Sequence, residues 1–263
     1  MAHQASKSAV QPMNKLTPAD VVMRSLQSGQ DALDSGDAEQ ALRILSSVNE
    51  LCKKSEAPPT VHGLTLRMLG DALLANGMYD ESRAALKQGI AMNENAEKNP
   101  QLPAFLLKDV QGRLADLYAA LGELERKTEN FKQSLSALRK AVEYFENLDN
   151  PDFGVATLHR VGLVLIQKGD YKDAIKELEE AALKSEKCDA QDRLLAANYR
   201  HQADAYEALG DMDKNKEMLE RSLATATAGG DANLIEELNA KLSIGDNSAE
   251  EENKAAAGDD VFL

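Results

Sequence analysis

Between Leu66 and Ile90, apolar and small residues recur at steps of three and four in two separate blocks. Leu66, Leu69, Gly70 and Leu73 fall on one face of a helix, and Tyr79, Ser82, Leu86 and Ile90 on one face of a second, with Gly77 between them. A glycine just past the last periodic residue takes the left-handed conformation that ends a helix. Asp80 and Glu81 then stand in the first turn of the next, where the helix dipole favours negative charge. The pattern predicts a helical hairpin, and one hairpin cannot bury its own apolar faces. Copies of it are needed, and the chain supplies them.

The turn glycine recurs as Gly36, Gly77, Gly122, Gly169 and Gly210, at steps of 41, 45, 47 and 41 residues. Seven positions ahead of it stands a small residue (Gly29, Gly70, Ala115, Gly162, Ala203), and four ahead a mostly larger one (Ala32, Leu73, Tyr118, Leu165, Tyr206). Each second helix carries a short residue (Ala41, Ser82, Ser134, Ala174, Asn215), then a leucine (Leu45, Leu86, Leu138, Leu178, Leu219), then another short one (Val48, Gly89, Ala141, Ala181, Ser222). Short side chains let helix axes approach while leucines fill the gaps between them. The third copy is irregular: Ser134 lies 12 residues after Gly122, whereas Ser82 lies five after Gly77. Because Leu124, Thr128, Phe131, Leu135 and Leu138 keep the helical spacing, the excess is expected to be two extra turns after Gly122, an overhang of about 10 Å.

Thr17, Pro18 and Asp20 make a helix start, with Thr as N-cap, Pro at the first helical position and Asp placed to reach back. That helix is expected to run to about Asp34. Near the other end, Gly229-Gly230-Asp231 opens a helix with Leu234, Ile235, Leu238 and Leu242 on one face, and Glu236, Glu237, Asn239 and Lys241 off it. Apolar within and polar without is what the last element of a repeat stack needs. The expected organisation is a disordered N-terminus over 1–16, a helical repeat domain over 17–244, and an acidic disordered tail over 245–263.

This pattern resembles the tetratricopeptide repeat (TPR), a family of stacked helix-turn-helix units. The clearest matches are Leu69-Gly70, Gly77 and Tyr79; Val161-Gly162, Gly169-Asp170-Tyr171 and Ala174-Ile175; and Ala203, Tyr206 and Gly210. The early Trp of the family is replaced by Ser25, Leu66, Gln111, Leu158 and Tyr199, and the units exceed the usual length of about 34 residues by roughly two turns. Units of this length are similar to those of the kinesin light chain and Pins/LGN adaptors. The resemblance implies an all-α right-handed superhelix of about five hairpins plus a C-terminal capping helix, with a concave groove lined by the first helix of each unit. By register the groove positions are Leu64, Arg67, Asp71 and Leu74; Asp109, Asp116 and Ala119; Ala156, His159, Leu163 and Ile166; and Ala197, Arg200, Asp204 and Glu207. Arg67, Asp71, Asp116, His159, Leu163, Ile166, Arg200 and Asp204 are the leading partner-binding candidates, with the two arginines expected to meet carboxylates as bidentate donors. One TPR subclass grips the C-terminal carboxylate of heat-shock chaperones with Lys and Asn. Here the Asn positions hold Gln30, Asp71, Asp116, Leu163 and Asp204, so no such clamp is expected.

Composition narrows the function further. With 43% hydrophobic but only 4% aromatic residues and no Trp, the chain favours helix over sheet. A formal charge of −14 with no basic stripe argues against a nucleic-acid partner. No apolar run approaches the roughly 18 residues of a membrane span. The N-terminus lacks the apolar block of a signal peptide, and its first Arg is Arg24, so a soluble cytoplasmic protein with reduced Cys52 and Cys188 is expected. The four histidines His3, His62, His159 and His201 are scattered, and there is no phosphate-cradling glycine loop and no nucleophile elbow. Neither enzyme activity nor a cofactor is expected. The expected role is an adaptor or scaffold that docks a helical or extended segment of another protein in the groove. The alternative is a permanently bound subunit of a large complex that uses its convex face, its ends or the extended third hairpin.

Overall fold

The computed structural model describes residues 17–148, 150–186 and 192–243, and all regular structure in them is helical. There are eleven helices among the described residues: α1 (Pro18–Asp34), α2 (Ala38–Lys54), α3 (Pro59–Ala75), α4 (Tyr79–Glu97), α5 (Ala104–Lys127), α6 (Phe131–Asn147), α7 (Pro151–Lys168), α8 (Tyr171–Ser185), α9 (Asp192–Ala208), α10 (Met212–Gly229) and α11 over residues 232–243. Each of α1 to α9 packs on the next, and first helices also meet in series, α1 on α3, α3 on α5, α5 on α7 and α7 on α9. Five hairpins are thereby stacked in chain order, and the apolar interior is a run of separate clusters along the stack. The stretches expected to be disordered, 1–16 and 245–263, lie outside the described residues, as does Cys188. No described helix is long and apolar enough to cross a membrane.

Local signals act as the sequence suggests at both ends. Thr17 Oγ1 accepts from the Asp20 amide at 3.2 Å while the Asp20 carboxylate accepts from the Thr17 amide at 2.9 Å, closing a capping box. Gly36, Gly77, Gly169 and Gly210 have φ between 74° and 87°, the left-handed region in which a Cβ is strained. At the far end α11 seals the stack with a fully buried Leu238, flanked by half-buried Leu234, Ile235 and Leu242.

The third hairpin departs from the sequence reading. Gly122 is not a turn residue. It lies inside α5, and the turn is Thr128-Glu129-Asn130, with Glu129 in the left-handed role at φ 59°. A Cβ on Gly122 would fall 2.5 Å from Leu138 Cγ, just as one on Gly70 would fall 2.7 Å from Leu86 Cδ2 and one on Gly162 2.5 Å from Leu178 Cδ2. Gly122 is therefore the small crossing residue of its unit, the part assigned above to Ala115. Hydrogen bonds repeat the correspondence: the Ser134 hydroxyl donates to the Gly122 carbonyl at 2.7 Å, the Ser82 hydroxyl to the Gly70 carbonyl at 2.7 Å, and the Asn215 amide to the Ala203 carbonyl at 2.9 Å. Counted from Glu129, Ser134 is five residues on, as in the other units.

Two extra turns do exist, but at the start of the first helix. α5 begins 25 residues before Glu129, whereas α3 begins 18 before Gly77, and on the added stretch Phe105 is 69% exposed. The shift also puts Glu125 where the second and fourth units carry the buried Leu73 and Leu165. The Glu125 carboxylate is met by Arg83 from α4 and by the Asn130 amide at 2.8 Å, so it closes a turn that has no glycine.

Candidate functional site

The first helices α3, α5 and α7 leave an open trough along the side they share. A cavity of about 560 Å³ is lined by Arg67, Asp71, Asp116, Glu123, His159 and Leu163, among others. A neighbouring one of about 480 Å³ is lined by Met23, Leu64, Asp109 and Arg113. Asp116, Phe145 and Phe153 border both, which makes them one continuous depression.

Its charges come in pairs fixed by helix geometry. On α3, Arg67 Nη1 donates to Asp71 Oδ2 at 2.6 Å, one turn away, and on α5 Arg113 Nη1 donates to Asp116 Oδ2 at 2.9 Å. Burial pushes both carboxyls above their ordinary range, against the pull of the arginines. Burial likewise lowers the Arg113 guanidinium, whose Nε has no hydrogen-bond partner among the described residues. His159 on α7 shares a hydrogen bond of 2.7 Å between its Nδ1 and Asn198 Oδ1 on α9, and its ring centroid lies 5.2 Å from that of His201. Burial, reinforced by His201, Arg160 and Arg200 and opposed by Asn198, drops its pKa to about 4. The imidazole is neutral near pH 7.

Of the eight sequence candidates, the structure gathers Arg67, Asp71, Asp116, His159 and Leu163 around the larger cavity. It places the others elsewhere. Arg200 Nε donates to Glu237 Oε1 on α11 at 2.8 Å, and Asp204 accepts from Lys241 of the same helix at 2.6 Å and pairs with His201 at 3.3 Å. Burial works against the Asp204 charge, but His201 and Lys241 outweigh it and hold the carboxyl down to about 2. These two residues fasten the terminal helix. Ile166 is half-buried against the cluster of Leu138, Val161 and Val164. Arg67 and Arg200, expected to meet a partner's carboxylates, are each paired within the chain, with Asp71 and Glu237.

The new register of the third unit moves its groove positions by seven, to Asp116, Ala119, Glu123 and Arg126, and all four line the larger cavity. Asp116 belongs to either register, because seven residues are close to two helical turns. Asp109 borders the smaller cavity instead. Phe153 escaped the sequence reading: it is 56% exposed and stacks on Phe145, with centroids 5.5 Å apart and planes at 24°. Its one signal was position, in the first turn after Asn150-Pro151, ahead of the groove register of α7. No group of three or more His, Cys, Asp or Glu side chains among the described residues is arranged to hold a metal ion.

The tetratricopeptide-repeat family matches residues 119–193 through one profile and 68–95 through another. Among curated proteins, none matches the chain by sequence. Several solved structures share the fold. The nearly identical TPR-like repeats of a Podosopora anserina kinesin light chain superpose with a TM-score of 0.63 at 19% identity, covering 81% of this chain and 98% of that one. Aspartyl phosphate phosphatase F from Bacillus subtilis superposes at 0.73 and 16% identity over 91% of this chain and 59% of its own. YrrB, a TPR protein with an unusual peptide-binding site, does so at 0.51 and 17% identity over 84% and 91%.

Proposed function

Because the chain is a tetratricopeptide-repeat protein, we propose that it is a non-enzymatic scaffold whose trough docks a helical or extended segment of another protein within a larger assembly. The observation that carries this reading is Phe153, held half out of the surface by its stack on Phe145 at the junction of the two cavities. An exposed aromatic in a depression, flanked by the ion pairs Arg67–Asp71, Arg113–Asp116 and Arg126–Glu123, is an anchor point at low ordering cost. The pairs Arg67–Asp71 and Arg113–Asp116 hold their side chains in place before a partner arrives, so less entropy is lost on binding. A similar fold in YrrB carries a peptide-binding site, which supports the same kind of partner here. A chaperone C-terminal carboxylate is not the expected ligand, because the positions that would hold its Asn contacts are Gln30, Asp71, Glu123, Leu163 and Asp204 in the new register, three of them acidic.

The test is a photo-crosslinking amino acid placed at Ala156, in the trough, or at Lys176, an exposed position on α8. Partner proteins should be captured from the Ala156 position and lost when Phe153→Ala is added. Capture from Lys176 alone, untouched by Phe153→Ala, would sink the trough as the docking surface.

A further inference from the structure

On the other side of α5 from the trough, a crevice of about 310 Å³ opens between α4, α5 and α6. Tyr118 and Leu121 line it, two residues along the helix from the trough positions Asp116 and Ala119, which is about 200° around the axis. The floor is Tyr118, Leu121 and Ala137, each under a tenth exposed, and Lys87, Lys132 and Lys140 stand around it. Among the described residues none of these lysines pairs with a carboxylate. Lys140 Nζ instead donates to the Tyr118 hydroxyl at 3.1 Å and lies 4.8 Å over its ring. Glu125, the carboxylate in the wall, is taken by Arg83, and Glu94 beside it accepts from the Tyr118 hydroxyl at 2.6 Å.

The same crevice is built again between α8, α9 and α10. There Tyr199 replaces Tyr118 and donates to Glu186 at 3.0 Å, and Arg221 lies over its ring in place of Lys140. The sign is reversed at two of the three lysine positions, with Glu179 standing for Lys87 and Asp213 for Lys132 by register, while Arg221 keeps the charge of Lys140 and polar Gln202 replaces Leu121. Packing of the repeat is therefore indifferent to the sign at the Lys87 and Lys132 positions. In a chain of net charge −14, the first crevice keeps three ammonium groups around an apolar floor, none of them in an ion pair among the described residues.

We propose that this crevice is a second docking site, for an acidic segment of a partner protein that lays an apolar side chain on the floor and sets its carboxylates against Lys87, Lys132 and Lys140. A simple anion would leave the floor wet, and a purely apolar segment would strip water from three charges with nothing in return. The acidity of the whole chain does not forbid it. At physiological ionic strength charges further off than about 8 Å are screened, so the local cluster decides.

Neither this site nor its test depends on the trough. Short random peptides displayed on phage are selected on the full chain at physiological salt, and on the triple variant Lys87→Glu, Lys132→Glu, Lys140→Glu. The wild type should enrich sequences with acids flanking a large apolar residue. By fluorescence anisotropy the enriched peptides should bind the triple variant at least about tenfold more weakly, and Phe153→Ala should leave them unaffected. The lysines are exposed, so circular dichroism should show an intact helical array, and the neutral Lys→Gln set repeats the test with less repulsion. The proposal is overturned if no such class is enriched, if the triple variant binds it equally, or if Phe153→Ala abolishes binding. It is equally overturned if replacing the apolar residue of the peptide by Ser changes nothing, which is charge attraction alone.

Discussion

Arg83 holds the Glu125 carboxylate through two nitrogens, Nε at 2.7 Å and Nη2 at 3.1 Å, across 42 residues of sequence and from one hairpin to the next. The Glu125 side chain is 5% exposed and that of Arg83 22%. Removing one member of such a pair strands the other's charge, at a cost of about 3 to 5 kcal/mol. Arg83→Ala should therefore lower the urea midpoint sharply. Replacing both, with Arg83→Leu and Glu125→Leu, gives the third unit the leucine seen at Leu73 and Leu165 and should recover most of that loss.

Glu129 sits where the other units place glycine, at a φ of 59° that strains an ordinary side chain. Glu129→Gly should raise stability by roughly 1 kcal/mol, and Gly169→Ala, at φ 87°, should lower it by a similar amount. Thermal unfolding of the two variants side by side reads the opposite signs.

Gly122 and Leu138 are in closer contact than any Cβ permits. Gly122→Ala should cost about 1 to 3 kcal/mol by overpacking, and less in a Leu138→Ala background, where the obstruction is gone. A double-mutant cycle by chemical denaturation measures the coupling. Additive costs would mean that Gly122 does not face that leucine.

Most of the array was readable because small, large and turn residues recur at fixed offsets. Gly70 over Leu86 and Gly162 over Leu178 are that pattern in three dimensions. The third unit was misread for two physical reasons. Its turn uses Glu129 in place of glycine, and the crossing glycine lies seven residues earlier, close enough to two helical turns that either register keeps the apolar faces aligned. The trough suffered less, since Asp116 faces it in both registers. What the pattern could not convey was pairing: nothing in the spacing of Arg200 and Asp204 reveals that Glu237 and Lys241 of the last helix occupy them.

His159 should make stability fall in mild acid. Folded, it takes a proton at about pH 4; unfolded, near 6.5. Between those values the unfolded chain holds more protons, so stability drops as pH falls through the window, by about 3 kcal/mol at most, and no further below it. His62, also lowered by burial, adds to the same trend. The contribution of Asp204 is present above the ordinary carboxyl range and lost only as pH falls toward about 2, so it lies below this window. In urea titrations from pH 7 to 4.5, His159→Gln should lose less stability than wild type. Parallel curves would show that the ring is free to charge.

The apolar interior is broken into clusters, and none of them reaches from α1 to α11. Such a chain tolerates injury the way a brick course does: a flaw loosens the courses beside it and is scarcely felt farther away. Clipping α11 should fray the fifth hairpin and spare the second, so the two ends of this molecule are free to change sequence on separate histories.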